Sequence, residues 1–67
     1  MASRVAARLT REMKRRDWSY REFAEFLDVP ISQLHGWVHE AHEPNLSSLR
    51  HLAEKLDCSV AELIEAA

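Results

Sequence analysis

The chain is poor in residues that break or staple a fold. It has one glycine, two prolines and one cysteine among 67 residues. A lone thiol, Cys58, cannot build an internal disulfide framework, and it fits a reducing compartment. No apolar run approaches the roughly 18 residues of a membrane span, and no signal-peptide core of about 7–15 apolar residues is present. Strand signals are absent. So are catalytic constellations and cofactor motifs, and the chain is too small for a large closed pocket. These gaps argue against a disulfide scaffold, a membrane protein and an enzyme. No cofactor and no metal is expected. A short chain buries only roughly 60% of its unfolded surface, so one domain spanning 1–67, of marginal stability, is expected.

What is present is charge, unevenly spread. Residues 1–21 hold seven basic side chains against Glu12 and Asp17, a net +5. Residues 22–67 hold only Arg50 and Lys55 against nine acids, a net −7. A basic end can serve an anionic partner such as nucleic acid, or it can be an ordinary solvated helix face.

The hydrophobic periodicity predicts five short helices. The first runs from about Arg4 to Arg16, with Val5, Leu9 and Met13 as its apolar stripe and basic residues on its other faces. Asp17, tolerant of a left-handed turn, ends it. Ser19 and Glu22 form a capping box at the start of the second helix, with Trp18 and Phe23 at the staple positions. Phe23, Ala24 and Leu27 face inward, and Asp28 stops the helix. The third runs from about Pro30 to His39, with Leu34, Trp37 and Val38 inward. Leu34 and Trp37 are expected to pack against the first and fourth helices. Gly36, inside the third helix, costs on the order of 1 kcal/mol relative to Ala, which reflects either a close approach by another surface or nothing at all. Residues Glu40 to Pro44 form a loop. Asn45 is the N-cap of the fourth helix, whose buried stripe is Leu46, Leu49, Leu52, Ala53 and Leu56. Asp57 and Cys58 turn the chain. Ser59 and Glu62 form a second capping box, and the last helix reaches about Glu65, with Val60, Leu63 and Ile64 as its apolar face.

The second helix, a short turn and the third helix read as a helix-turn-helix. The stretch SYREFAEFLDVPISQLHGW resembles the Cro/repressor (XRE-type, phage-repressor-like) family. Ser19, Phe23, Ala24, Leu27, Val29, Leu34 and Trp37 fall on that family's pattern without a gap. The stretch PNLSSLRHLAEKLDCSVAELI is similar to the family's ending, through Pro44, Leu46, Leu49, Leu52, Ala53, Leu56, Ser59, Glu62 and Leu63. The resemblance covers about residues 8–64. It implies an all-α, compact five-helix bundle whose third helix enters the DNA major groove, in a cytoplasmic protein encoded by a bacterium or a phage.

By resemblance, Ile31, Ser32, Gln33, His35 and Gly36 face the bases. Arg15, Arg16, Ser19, Tyr20, Arg21, His39 and His42 face phosphates. Val60, Ile64 and Ala67 form a small homodimer surface. The implied function is a sequence-specific regulator, a repressor on a palindromic operator, with double-stranded DNA as partner. An alternative on the same fold is a protein-interaction module, antirepressor or antitoxin-like, with weak or no DNA binding. The set facing the bases holds no Arg, Lys or Asn, although bidentate base readout normally uses Arg, Lys, Asn or Gln. Tyr20 replaces the family's usual Gln, and Asp28 and Glu40 stand where Gly is usual. The family's ion pair between the first and third helices is replaced by Met13 and Val38, a joint change that is often neutral or stabilising.

His35 and His39 have the i, i+4 spacing of two metal ligands, with His42 and Glu43 nearby; three exposed histidines are the plainer reading. Cys58 reads as a small buried hydrophobe. Phe26, on a usually polar outward position, is expected either to pack against a neighbour or to mark an interface.

Overall fold

The computed structural model describes residues 4–64. Five helices follow one another: α1 Arg4–Arg16, α2 Tyr20–Leu27, α3 Ile31–Val38, α4 Leu46–Lys55 and α5 Val60–Ile64. There is no strand among the described residues. Leu9, Phe23, Leu27, Leu34, Leu52 and Leu63 are fully buried, and Val5, Ala24, Trp37, Ala53 and Leu56 complete the core. All five helices therefore contribute to one apolar cluster.

Helix starts follow the caps. Ser19 Oγ accepts from the Glu22 N–H at 3.2 Å, and Glu22 Oε1 accepts from the Ser19 N–H at 2.9 Å. Ser59 and Glu62 repeat this at 3.0 Å in both directions. Those bonds from the Ser59 backbone and side chain hold the Glu62 carboxyl below the usual carboxylate range. Asn45 Oδ1 accepts from the Ser48 N–H at 2.8 Å. Pro30 differs slightly from expectation. It is the extended N-cap (φ −61°, ψ 142°), not the first helical residue, and its carbonyl accepts from Gln33 and Leu34.

The ends of the first four helices share one geometry. Asp17, Asp28, Glu40 and Asp57 all adopt positive φ, between 55° and 59°. Around each, paired bonds close a Schellman turn, as in Trp18 N–H to Met13 carbonyl with Asp17 N–H to Lys14 carbonyl. The same pairing recurs from Val29 to Ala24, Ala41 to Gly36 and Cys58 to Ala53.

Several expectations need correction. Leu46 is 56% exposed, because the first turn of α4 projects past the core, which α4 joins at half-buried Leu49. Leu34 and Trp37 are buried as expected, but the principal packing partners of α3 are α1 and α2, not α1 and α4. Helix α4 instead reaches α2 and α5. Cys58 is half-buried, and burial pushes its thiol up, keeping it protonated near neutrality. On the apolar face of α5, Leu63 is buried, Val60 half-buried and Ile64 exposed.

One buried group lies outside the apolar pattern. Glu12 is only 6% exposed, on α1. Arg8 Nε donates to it at 3.0 Å and Arg15 Nη2 at 2.9 Å, and Arg16 Nη1 also donates. Burial pushes its carboxyl up. Hydrogen bonds from Arg16 and Arg8, with the charges of Arg15 and Arg16, outweigh that and hold it below the usual carboxylate range. Arg8 also donates to the Glu62 carbonyl at 3.3 Å, tying α1 to α5. His51 provides a second tie, with Nε2 2.6 Å from the Leu27 carbonyl. A carbonyl only accepts, so Nε2 carries the proton, and α4 caps the last turn of α2.

Two outcomes follow. Trp37→Ala should cost roughly 3–5 kcal/mol in urea unfolding, since a large buried side chain is removed. A variant that unfolds with the parent would mean that Trp37 does not anchor α3. The depressed carboxyl of Glu12 stabilises the fold fully above its unfolded pKa, and that contribution is lost as pH falls through the folded value. Melting temperatures followed down from about pH 4.3 should therefore fall less steeply in Glu12→Gln than in the parent. Glu62 titrates in the same direction, so the acid limb should shrink and not vanish.

Candidate nucleic-acid interface

Helix α3 is amphipathic in a simple sense. Leu34 and Trp37 point into the core, while Ile31, Ser32, His35 and His39 are exposed. Ala24, 3% exposed on α2, is small enough for α2 and α3 to cross closely. The turn between them is set by the left-handed Asp28 and the half-buried Val29. Each side chain on the open face of α3 is thus positioned by two buried neighbours on the other side.

The residues expected to face bases divide into three groups. Ile31, Ser32 and His35 are exposed, with Ile31 at 42%. Gln33 is half-buried. Gly36 is half-buried beneath the His42 ring, and a Cβ at Gly36 would lie 2.0 Å from His42 Nε2. The glycine accommodates an imidazole from the loop that follows its own helix.

The residues expected to face phosphates divide as well. Arg21 and Ser19 are exposed, and the Ser19 hydroxyl is engaged by its capping bond. The Arg15 side chain is 67% exposed and touches Glu12 with one nitrogen. Arg16 is 24% exposed, bound to Glu12, with its guanidinium 5.4 Å from the ring centres of both Trp18 and Phe26. Sequence reasoning missed this arrangement. Its signal was present in the spacing, since Arg8, Arg15 and Arg16 stand at i−4, i+3 and i+4 from Glu12. Phe26 is half-buried, 5.0 Å from Trp18 and 6.4 Å from Phe23 between ring centroids. It belongs to an aromatic cluster of its own chain.

Tyr20, His35 and His39 come together. The Tyr20 and His35 rings stack at 4.0 Å and 23°. The His35 and His39 rings lie 5.5 Å apart at 21°. The Tyr20 hydroxyl and His39 Nε2 share a 3.3 Å hydrogen bond. His42 is held apart from these rings, over Gly36. Among the described residues no group of three or more His, Cys, Asp or Glu side chains is placed to hold a metal.

The arrangement is an exposed short helix braced by a capped one, with exposed Arg21 in the first turn of the bracing helix. The family model for the Cro/C1-type HTH DNA-binding domain matches residues 8–67. The chain belongs to the Cro/C1-type HTH DNA-binding family. No curated protein and no solved structure matches it significantly. In this Cro/C1-type domain α2 and α3 are the helix-turn-helix pair. None of its described helices is long and apolar enough to cross a membrane.

The Gly36–His42 contact is directly testable. Gly36→Ala in a His42→Ala background should add about 0.8–1 kcal/mol of stability, the helix-propensity gain of alanine. In the parent background the gain should be smaller, because the His42 ring must move. Equal gains in the two backgrounds, measured by urea unfolding, would remove His42 as the reason for the glycine.

Proposed function

We propose that this Cro/C1-type domain is a transcriptional repressor, phage-repressor-like, that binds a palindromic operator as a homodimer in the cytoplasm of a bacterium. The observation carrying this reading is the anchoring of α3 by Leu34 and Trp37, which leaves Ile31, Ser32 and His35 open, while Arg21 is exposed on α2. In the major groove Ile31 meets a thymine methyl, and Ser32, Gln33 and His35 hydrogen-bond base edges. Gly36 approaches bases only once the His42 ring leaves it. Arg15 and Arg21 neutralise phosphates, assisted by Ser19, Tyr20, His39 and His42. Arg16 supports them from its place between Glu12 and the aromatic rings.

The size of the domain supports a two-fold dimer. Its largest extent is 25 Å. Two copies of that width fit side by side on half-sites one DNA turn apart, about 34 Å, with room for a side-chain layer between them. Exposed Ile64 and half-buried Val60 offer an apolar strip for that layer. Ala67, the third residue of the expected strip, lies outside the described residues. So small a strip implies a weak dimer that DNA strengthens by holding both copies.

A second reading has its own observation. No Lys or Arg occurs from residue 22 to residue 49, and Glu40 and Glu43 flank His42. That half of the surface suits a protein partner better than a polyanion.

Selection of bound sequences from a random duplex pool, at a stated salt concentration, decides between them. The repressor reading expects recovery of a palindrome. Arg21→Ala should then lower the salt slope of binding by about 0.9. Sedimentation at micromolar protein should show dimers with the palindrome and mostly monomers without it, and Ile64→Glu should weaken the DNA-bound dimer. Recovery of no duplex would favour the interaction module.

A further inference from the structure

The ring stack on the open face of the α2–α3 pair has a feature that separate base and phosphate roles do not use. His35 is exposed yet held flat against Tyr20, with ring centroids 4.0 Å apart. His39 lies behind it at 5.5 Å, and the second ring of that pair is tied to Tyr20 by the 3.3 Å bond between the hydroxyl and Nε2. Among the described residues no hydrogen bond engages the ring nitrogens of His35, while a nitrogen of His39 is engaged. One imidazole of the stack is therefore oriented with its nitrogens open to solvent, and the other is oriented and engaged within the chain.

We infer that Tyr20, His35 and His39 act as one reading unit, in which His35 contacts the edge of a purine and Tyr20 is a positioning residue that holds its ring. The inference rests on the DNA-binding reading above. A free imidazole edge offers one donor and one acceptor when neutral and two donors when protonated. Purine N7 accepts in both adenine and guanine, and guanine adds O6. An exposed histidine on a helix samples several rotamers, and a ring packed on one face loses most of them. Tyr20 thus does for His35 what a supporting contact does for any recognition group, fixing its direction before the partner arrives. The stack also explains how a helix without Arg, Lys or Asn on its open face reads a base. In this arrangement the hydroxyl of Tyr20 serves His39, and the flat face of its ring serves His35.

The test is selection from a random-sequence duplex pool by the parent and by four variants, scored as base preference at each position, with affinity, salt slope and melting temperature measured alongside. The parent should show one purine position enriched about tenfold over the alternatives. His35→Ala, an exposed change, should flatten that position to near unity and leave the salt slope unchanged. Tyr20→Ala should flatten the same position. Tyr20→Leu, which keeps apolar cover should the alanine variant unfold, should do so too. Tyr20→Phe keeps the stack and should retain the preference. Persistence of the preference in His35→Ala, or in both Tyr20→Ala and Tyr20→Leu, overturns the inference, as does its loss in Tyr20→Phe. A parent that binds duplexes without base preference overturns the inference and leaves DNA binding intact. A parent that retains no duplex overturns the DNA-binding reading itself, and this inference with it.

Discussion

The burial of Leu34 and Trp37 is the constraint on which the rest of the molecule depends. Helix α3 has eight residues, too few to persist alone in water. Its order comes from two side chains inserted between α1 and α2, and their insertion decides which face of α3 remains in solvent. Ala24 permits the close crossing, and Phe23 and Leu27 fill the space around it. His51 adds a polar tie by donating from α4 to the Leu27 carbonyl at the end of α2. The open face is therefore a by-product of the core, and its direction is as firm as the core is.

Charge is organised around a second centre, Glu12. The basic first third looks like a free cationic surface when its residues are only counted. In the folded chain Arg8 and Arg16 are turned toward a buried carboxylate, and Arg16 is also sandwiched against Trp18 and Phe26. Three guanidiniums around one carboxylate leave positive charge over, but they concentrate it on Arg15. The neighbouring position, Met13, is apolar and half-buried, as is Val38. The chain thus places two apolar side chains at these positions of α1 and α3 and builds an ionic cluster within α1. A buried carboxylate with three partners is strongly destabilised by losing them, which links the basic segment to stability as well as to any anionic ligand.

The helix ends show how a glycine-poor chain turns. Four Schellman turns are closed by aspartate or glutamate in the left-handed region, a conformation that glycine adopts at least cost. Acidic side chains are also unfavourable near helix C-termini. The single glycine is used elsewhere, at the contact with His42. Stability is thus given up at four turns, and the short loop after α3 gains a ring packed on the helix.

Much of this was legible in the sequence because the relevant signals are local. The two capping boxes, the Asn45 cap, the left-handed Asp17 and the helix stop at Asp28 depend on residues within one turn of each other, so local sequence specifies them. The helix-turn-helix was legible for the same reason, with Leu34 and Trp37 on the inward stripe. Leu46 was misplaced because periodicity gives the face of a residue and not whether a neighbour lies over it. One partner of α3 was misassigned, and Phe26 and the cover on Gly36 were left open, because each depends on chain segments far from it in sequence or folded back upon it. The same holds for the candidate site. Family resemblance assigned Tyr20, His35 and His39 to one DNA-facing surface, but only the crossing of α2 over α3 brought the Tyr20 ring onto His35, since that contact joins residues fifteen positions apart through the packing of two helices.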